Sequence, residues 1–185
     1  MTKYLLNALI LGFISCTKTQ EDSDTISNKD FVLQVSIVNN AEIDIGSLAA
    51  KKAIDEGVSA FAKTITEYHT AAQAQLKSLA VSLSLFAPDS LDGEHIILKN
   101  QLLDLSGHAF DSLYIHTRVQ DYRQAVKLFF EEMMTGQNEQ LRDYSASVLP
   151  ELEVYLHQAD SLANKYSLPL HKSMKREHLC HHDKG

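Results

Sequence analysis

Tryptophan is absent from these 185 residues, and glycine (7) and proline (3) are scarce. So little glycine and proline argues against a turn-rich β fold and favours long regular elements. There are only two cysteines, Cys16 and Cys180, which excludes a disulfide-stapled scaffold and leaves at most one bridge across nearly the whole chain. Acylation of Cys16 would remove even that bridge and leave Cys180 free. The formal charge is −7, so the chain has no general attraction for phosphate backbones, and nucleic acid is set aside as a partner. Catalytic signatures are missing as well. There is no Gly-x-Ser-x-Gly elbow, no glycine-rich phosphate loop and no zincin motif.

What is present begins with a leader. Lys3 supplies a positive charge, and Leu5 to Ile14 form an apolar run interrupted only by Asn7. The run is too short for a bilayer, which needs ~20 apolar residues, but suits a secretory signal. It ends in Phe13-Ile14-Ser15-Cys16, which resembles a bacterial lipobox, although Phe13 stands where leucine is usual. The expectation is a signal peptide over residues 1–15, cleaved before a lipid-modified Cys16. Cleavage would remove Lys3 and no acid, giving a mature charge of −8. Each buried acyl methylene adds ~0.8 kcal/mol of membrane affinity, so two or three chains hold firmly. Residues 16–27, with the sequence CTKTQEDSDTIS, read as an acidic tether.

Helical periodicity then takes over. Ser27 to Asp30 has capping-box spacing. Helix 1 is expected from Asn28 to Ile54, with seam Phe31, Val35, Val38, Glu42, Ile45, Ala49. Gly57 marks a connection. Helix 2 is expected from Val58 to Leu83, with seam Ala62, Ile65, His69, Ala72, Leu76. Asp92 caps a shorter helix ending near Leu105, and Ser106-Gly107 breaks it. Helix 3 is expected from His108 to Met134, with Phe110, Tyr114, Asp121, Ala125, Leu128 and Glu132 along one stripe and Tyr122 beside it. Helix 4 is expected from Glu139 to Tyr166, with Pro150 kinking or splitting it. Four long amphipathic helices over 28–168 imply an all-α, up-down-up-down four-helix bundle, with the short helix in the helix 2–3 crossover. Residues 169–185 read as a flexible tail containing histidine and cysteine.

The stretches AEIDIGSLAAKKA, FAKTITEYHTAAQAQLKSLA, GHAFDSLYIHTRVQDYRQAVKLFFEE and VLPELEVYLHQADSLA resemble the bacterial family named domain of unknown function 4142. The resemblance covers roughly Phe31 to Asn164 and implies a ferritin-like bundle in a secreted or outer-membrane protein. It implies no activity. The family pattern has a Glu in helix 1, matched by Glu42. It has Asp-His pairs in helices 2 and 3, which are Tyr68-His69 and Asp121-Tyr122 here, and a His in helix 4, which is Tyr155 here. Tyrosine therefore replaces two of three imidazoles.

Glu42 and His69 interrupt apolar seams at similar heights, ~12 and ~13 residues from the first turn at ~1.5 Å each. A carboxylate beside an imidazole can serve as a metal site, a proton-transfer pair or a buried hydrogen-bonded pair. Asp121, Tyr122 and Tyr155 could complete such a cluster. The Glu-x-x-His pairs of a di-iron centre are lacking, which favours a structural polar network over a metal ion. In the tail, His178, Cys180, His181 and His182 could bind zinc or copper weakly. No cofactor is expected, a metal ion being the alternative. The functional expectation is a lipid-anchored cell-envelope bundle without catalytic activity, whose partners are the membrane, through acyl chains on Cys16, and an unidentified protein. The alternative is a metal-binding or metal-buffering bundle, and an enzyme with an unrecognised site is the third possibility.

Overall fold

A computed structural model of the protein describes residues 26–166. The leader, Cys16, nearly all of the tether and the histidine-rich tail lie outside the described residues. Five helices follow in order: α1 Asn28–Lys52, α2 Glu56–Ser82, α3 Gly93–Asp104, α4 Gly107–Thr135 and α5 Glu139–Ala163. No strand occurs among the described residues.

The ends are set by local chemistry. Ser27 caps α1 as its spacing suggests, accepting from Asp30 N at 3.2 Å. Asp55 accepts from Val58 N at 3.0 Å, Asp92 from His95 N at 2.9 Å, and Asn138 from Leu141 N at 3.1 Å. Each side chain satisfies one amide that a helix start leaves orphaned. Asp55 moves the first connection upstream of Gly57, which lies inside α2. Gly107 has φ +59°, a conformation that suits glycine, and it makes the turn into α4. Pro150 does not split α5, which runs unbroken through it. Pro150 lacks the N–H that would donate to Ala146, but both residues are exposed. Water can serve the orphaned carbonyl on that face.

α1 packs against α2 and α4, and α5 packs against α4 and α2. α2 and α4 therefore stand at opposite corners of a square. Two contacts fix the directions. The carboxylate of Asp111, at the start of α4, accepts from Ile54 N at 3.2 Å and Asp55 N at 2.8 Å, in the α1–α2 turn. Phe31, at the start of α1, meets Phe129, near the end of α4, edge-on at 5.4 Å. α4 thus starts where α2 starts, and the two run parallel. The four-helix bundle and its crossover helix match expectation, but the up-down-up-down order does not. The order is up, down, down, up. α3 carries the chain back along α1, tied by Lys99 to Asp44 at 2.6 Å and by Lys52 Nζ to Leu102 O at 3.0 Å. One long crossover of this kind keeps all neighbouring long helices antiparallel.

The core runs the length of the square. Phe31, Ile45, Ile65, Leu76, Phe110, Ile115, Leu141 and Leu152 are buried within it. At mid-height the apolar filling gives way to charged and polar groups from α1, α2 and α4.

Candidate functional site

The polar interior starts from the spacing of α4. Tyr114, Arg118, Asp121 and Ala125 follow one another by four, three and four residues, so they share the face turned toward α1. Arg118 is wholly buried. Its Nη1 lies 2.8 Å from Glu42 Oε1, and its Nη2 donates to Asp121 Oδ2 at 2.6 Å. One guanidinium thus joins a buried carboxylate to a partly exposed one. Arg118 also lies over the Tyr114 ring, 5.5 Å from the centroid. Burial raises the Glu42 pKa, and the Arg118 charge pulls it part of the way back. Burial likewise raises the Tyr114 and Tyr122 phenols.

A second network adjoins the first at Tyr122. His69 is buried, with Nδ1 2.8 Å from Asn39 Oδ1 and Nε2 3.0 Å from Tyr122 Oη. The Asn39 amide nitrogen donates to Gln73 Oε1 at 3.2 Å. Its carbonyl oxygen is therefore the atom that accepts from His69. This requires a proton on Nδ1, so Nε2 accepts from the Tyr122 hydroxyl. From Gln73 the chain continues to Ser36 Oγ at 2.8 Å and from Ser36 to Pro88 O at 2.5 Å. Every link has a consistent donor direction, and the chain runs from the core to the α2–α3 loop. The imidazole is neutral. Burial, helped by the Arg118 charge, holds its pKa down to about 3.

The five residues expected to cluster take three positions. Glu42 and Asp121 share Arg118. His69 and Tyr122 share a hydrogen bond. Tyr155 packs its ring 5.9 Å from that of Tyr122 and 5.1 Å from that of Tyr68. The expected pairing of Glu42 with His69 is replaced. The ion pair of Glu42 goes to Arg118, and the hydrogen bonds of His69 go to Asn39 and Tyr122. Sequence reasoning missed Arg118 and Asn39, although both had a legible signal. Arg118 falls on the α4 seam between Tyr114 and Asp121. Asn39 follows Val35 by four and precedes Glu42 by three, so the α1 seam passes through it rather than through Val38.

Beside this interior, α1, α3 and α4 enclose a cleft of about 170 Å³, lined in part by Val38, Asp92, His95, Asp121 and Ala125. His95 Nδ1 lies 2.6 Å from Asp92 Oδ1, and its Nε2 faces Asp121 Oδ2 at 3.9 Å. Among the described residues, no three His, Cys, Asp or Glu side chains are grouped to hold a metal ion. Glu42 and Asp121 face the guanidinium of Arg118, and both nitrogens of the His69 ring are engaged. The tail candidates His178, Cys180, His181 and His182 lie outside the described residues. None of the described helices is long and apolar enough to cross a membrane.

The chain belongs to the family "Domain of unknown function (DUF4142)", which matches residues 15–162. No curated protein matches it. A solved structure from Streptomyces coelicolor, named "putative secreted protein DUF305", is similar in fold, with a TM-score of 0.61 at 14% identity. The match covers 77% of this chain and 95% of that one. At that identity the likeness speaks for the helical fold alone.

Proposed function

We propose, with membership of the DUF4142 family as the premise, that this protein is a non-catalytic helical bundle held at the cell envelope by acyl chains on Cys16. One observation carries the anchor: an apolar run ends directly on Ser15-Cys16, and an acidic, apolar-poor segment follows before the first helix. The thiol is the nucleophile that lipid transfer requires, and cleavage frees its amine. The secreted name of the fold relative agrees with this placement. The non-catalytic part is supported by the interior, where Arg118 is held by Glu42 and Asp121 and His69 is held by Asn39 and Tyr122. Such groups position helices, leaving function to the outer surface.

Mass spectrometry of the N-terminal peptide from host membranes tests the anchor. A diacylated or triacylated Cys16 is expected, and Cys16→Ala should leave an uncleaved precursor. A mature chain that begins elsewhere refutes the anchor. A second reading, metal buffering, draws on His178, Cys180, His181 and His182. Zinc or copper that is bound stoichiometrically and lost on deleting residues 170–185 would favour it over the first.

A further inference from the structure

Of the ten large apolar side chains left in solvent among the described residues, four that include the two most exposed lie at one end of this bundle. Val81 is 77% exposed and Phe86 78%, at the end of α2 and in the loop that follows. Phe130 is 51% exposed and Met134 62%, in the last turns of α4. Both groups lie at the end where α1 begins, as the Phe31–Phe129 contact shows. Removing such side chains from water is favourable, and several left exposed at one end mark a surface that something covers.

The arrangement favours a plane over a groove-binding partner. α2 and α4 occupy opposite corners, so the two apolar pairs flank the end face on different sides. A flat surface meeting the bundle end-on reaches both pairs at once. The chain itself points to which surface. It enters the bundle at this end through Ser27, and only the residues from 17 to 27 separate Cys16 from α1. Even fully extended, a segment of that length reaches no more than about 40 Å. The far end of the bundle is another ~37 Å away along α1. We propose that the end carrying Val81, Phe86, Phe130 and Met134 seats on a phospholipid bilayer and inserts these side chains among the headgroups. This rests on the anchor reading, which puts the bilayer within reach. The charges here include the pairs Lys77–Asp89 and Lys127–Glu131 rather than a basic cluster. Seating is therefore apolar, indifferent to salt and to anionic lipid.

The absence of tryptophan provides the test. Phe86→Trp puts a single indole at the proposed contact, and Val154→Trp puts one on the side of α5. Each full-length variant is incorporated into phosphatidylcholine vesicles, with or without brominated acyl chains, and the N-terminal mass is read from the same preparation. Emission of the Phe86→Trp variant should shift to the blue and fall roughly two-fold with brominated lipid, whereas that of Val154→Trp should be unaffected. Water-like, unquenched emission from Phe86→Trp overturns the proposal whatever the N-terminal mass. A blue shift that develops without lipid and grows with protein concentration also overturns it, in favour of a second copy as the cover. Quenching of the Phe86→Trp indole in a chain without acyl groups would support the seating and refute the anchor. An acylated chain with that indole unquenched would do the reverse.

Discussion

Replacing Arg118 with methionine tests the paired burial of charge in the bundle interior most directly. The side chain is wholly buried, 2.8 Å from Glu42 Oε1 and 2.6 Å from Asp121 Oδ2. Methionine fills much of the volume but removes the charge. Asp121, partly exposed, can turn to water. Glu42 cannot, because it is buried among Arg118, Tyr114 and Tyr122. Removing one partner of a buried pair typically costs ~3–5 kcal/mol, since the other charge is left uncompensated. At roughly 3 °C per kcal/mol for a domain of this size, the melting point should fall by about 10–15 °C.

The loss should also depend on pH. The folded pKa of Glu42 already stands above its ordinary value of 4.5. A carboxyl raised on folding favours the folded state fully below its unfolded pKa, and that contribution is lost as pH rises through the folded value. Removing Arg118 removes the influence that lowers the pKa, so the window widens upward. Urea unfolding followed by circular dichroism at pH 5 and pH 7.5 should therefore show the larger deficit at pH 7.5. Adding Glu42→Gln to Arg118→Met should recover at least ~1.5 kcal/mol of the deficit. A single-variant loss under ~1 kcal/mol, or a double variant no better than the single, would refute the claim that the pair acts as one buried unit.

Two further outcomes follow from the same geometry. Nitrogen NMR of His69 should show a neutral ring protonated on Nδ1 at pH 5, because its pKa is held down to about 3. A base depressed on folding contributes stability above its unfolded value of 6.5 that is lost as pH falls toward the folded value, so His69→Leu should flatten the acid limb of the stability curve; a charged imidazole at pH 5 would contradict the hydrogen-bond chain. Gly136→Ala should destabilise the α4–α5 turn by ~1–3 kcal/mol, since a Cβ there would collide with the backbone oxygen and the carboxylate of Glu132; an unchanged urea midpoint would show that the turn can relax.

Much of the fold was legible because helix formation here is local. Capping residues and a three-four alternation of apolar side chains act within one or two turns. Ser27, Asp92 and the Ser106-Gly107 break were therefore readable in place. The seams also showed that Glu42 and His69 face inward, since a polar residue at a seam position must be buried with its helix. Pro150 does not split its helix because the cost of its missing N–H depends on exposure, which sequence spacing does not give. Gly57 misled because a glycine inside a first turn resembles a connection until Asp55 is known to cap from upstream.

Tertiary structure decided what the seams leave open, namely which helix faces which. Helix lengths and short loops suit either order of directions. The choice fell to α3, which carries the chain back to the end where α2 starts, and to the buried carboxylate of Asp111, which caps the α1–α2 turn from another helix. The same choice set the partners of the interior. With α4 antiparallel to α1, Arg118 comes level with Glu42. The Tyr122 hydroxyl then reaches His69, and the imidazole turns its other nitrogen to Asn39. The sequence by itself determined the helices, their ends and the groups that must be buried. Only packing could determine which of those groups meet, because partners 30 to 76 residues apart are joined by geometry and not by spacing.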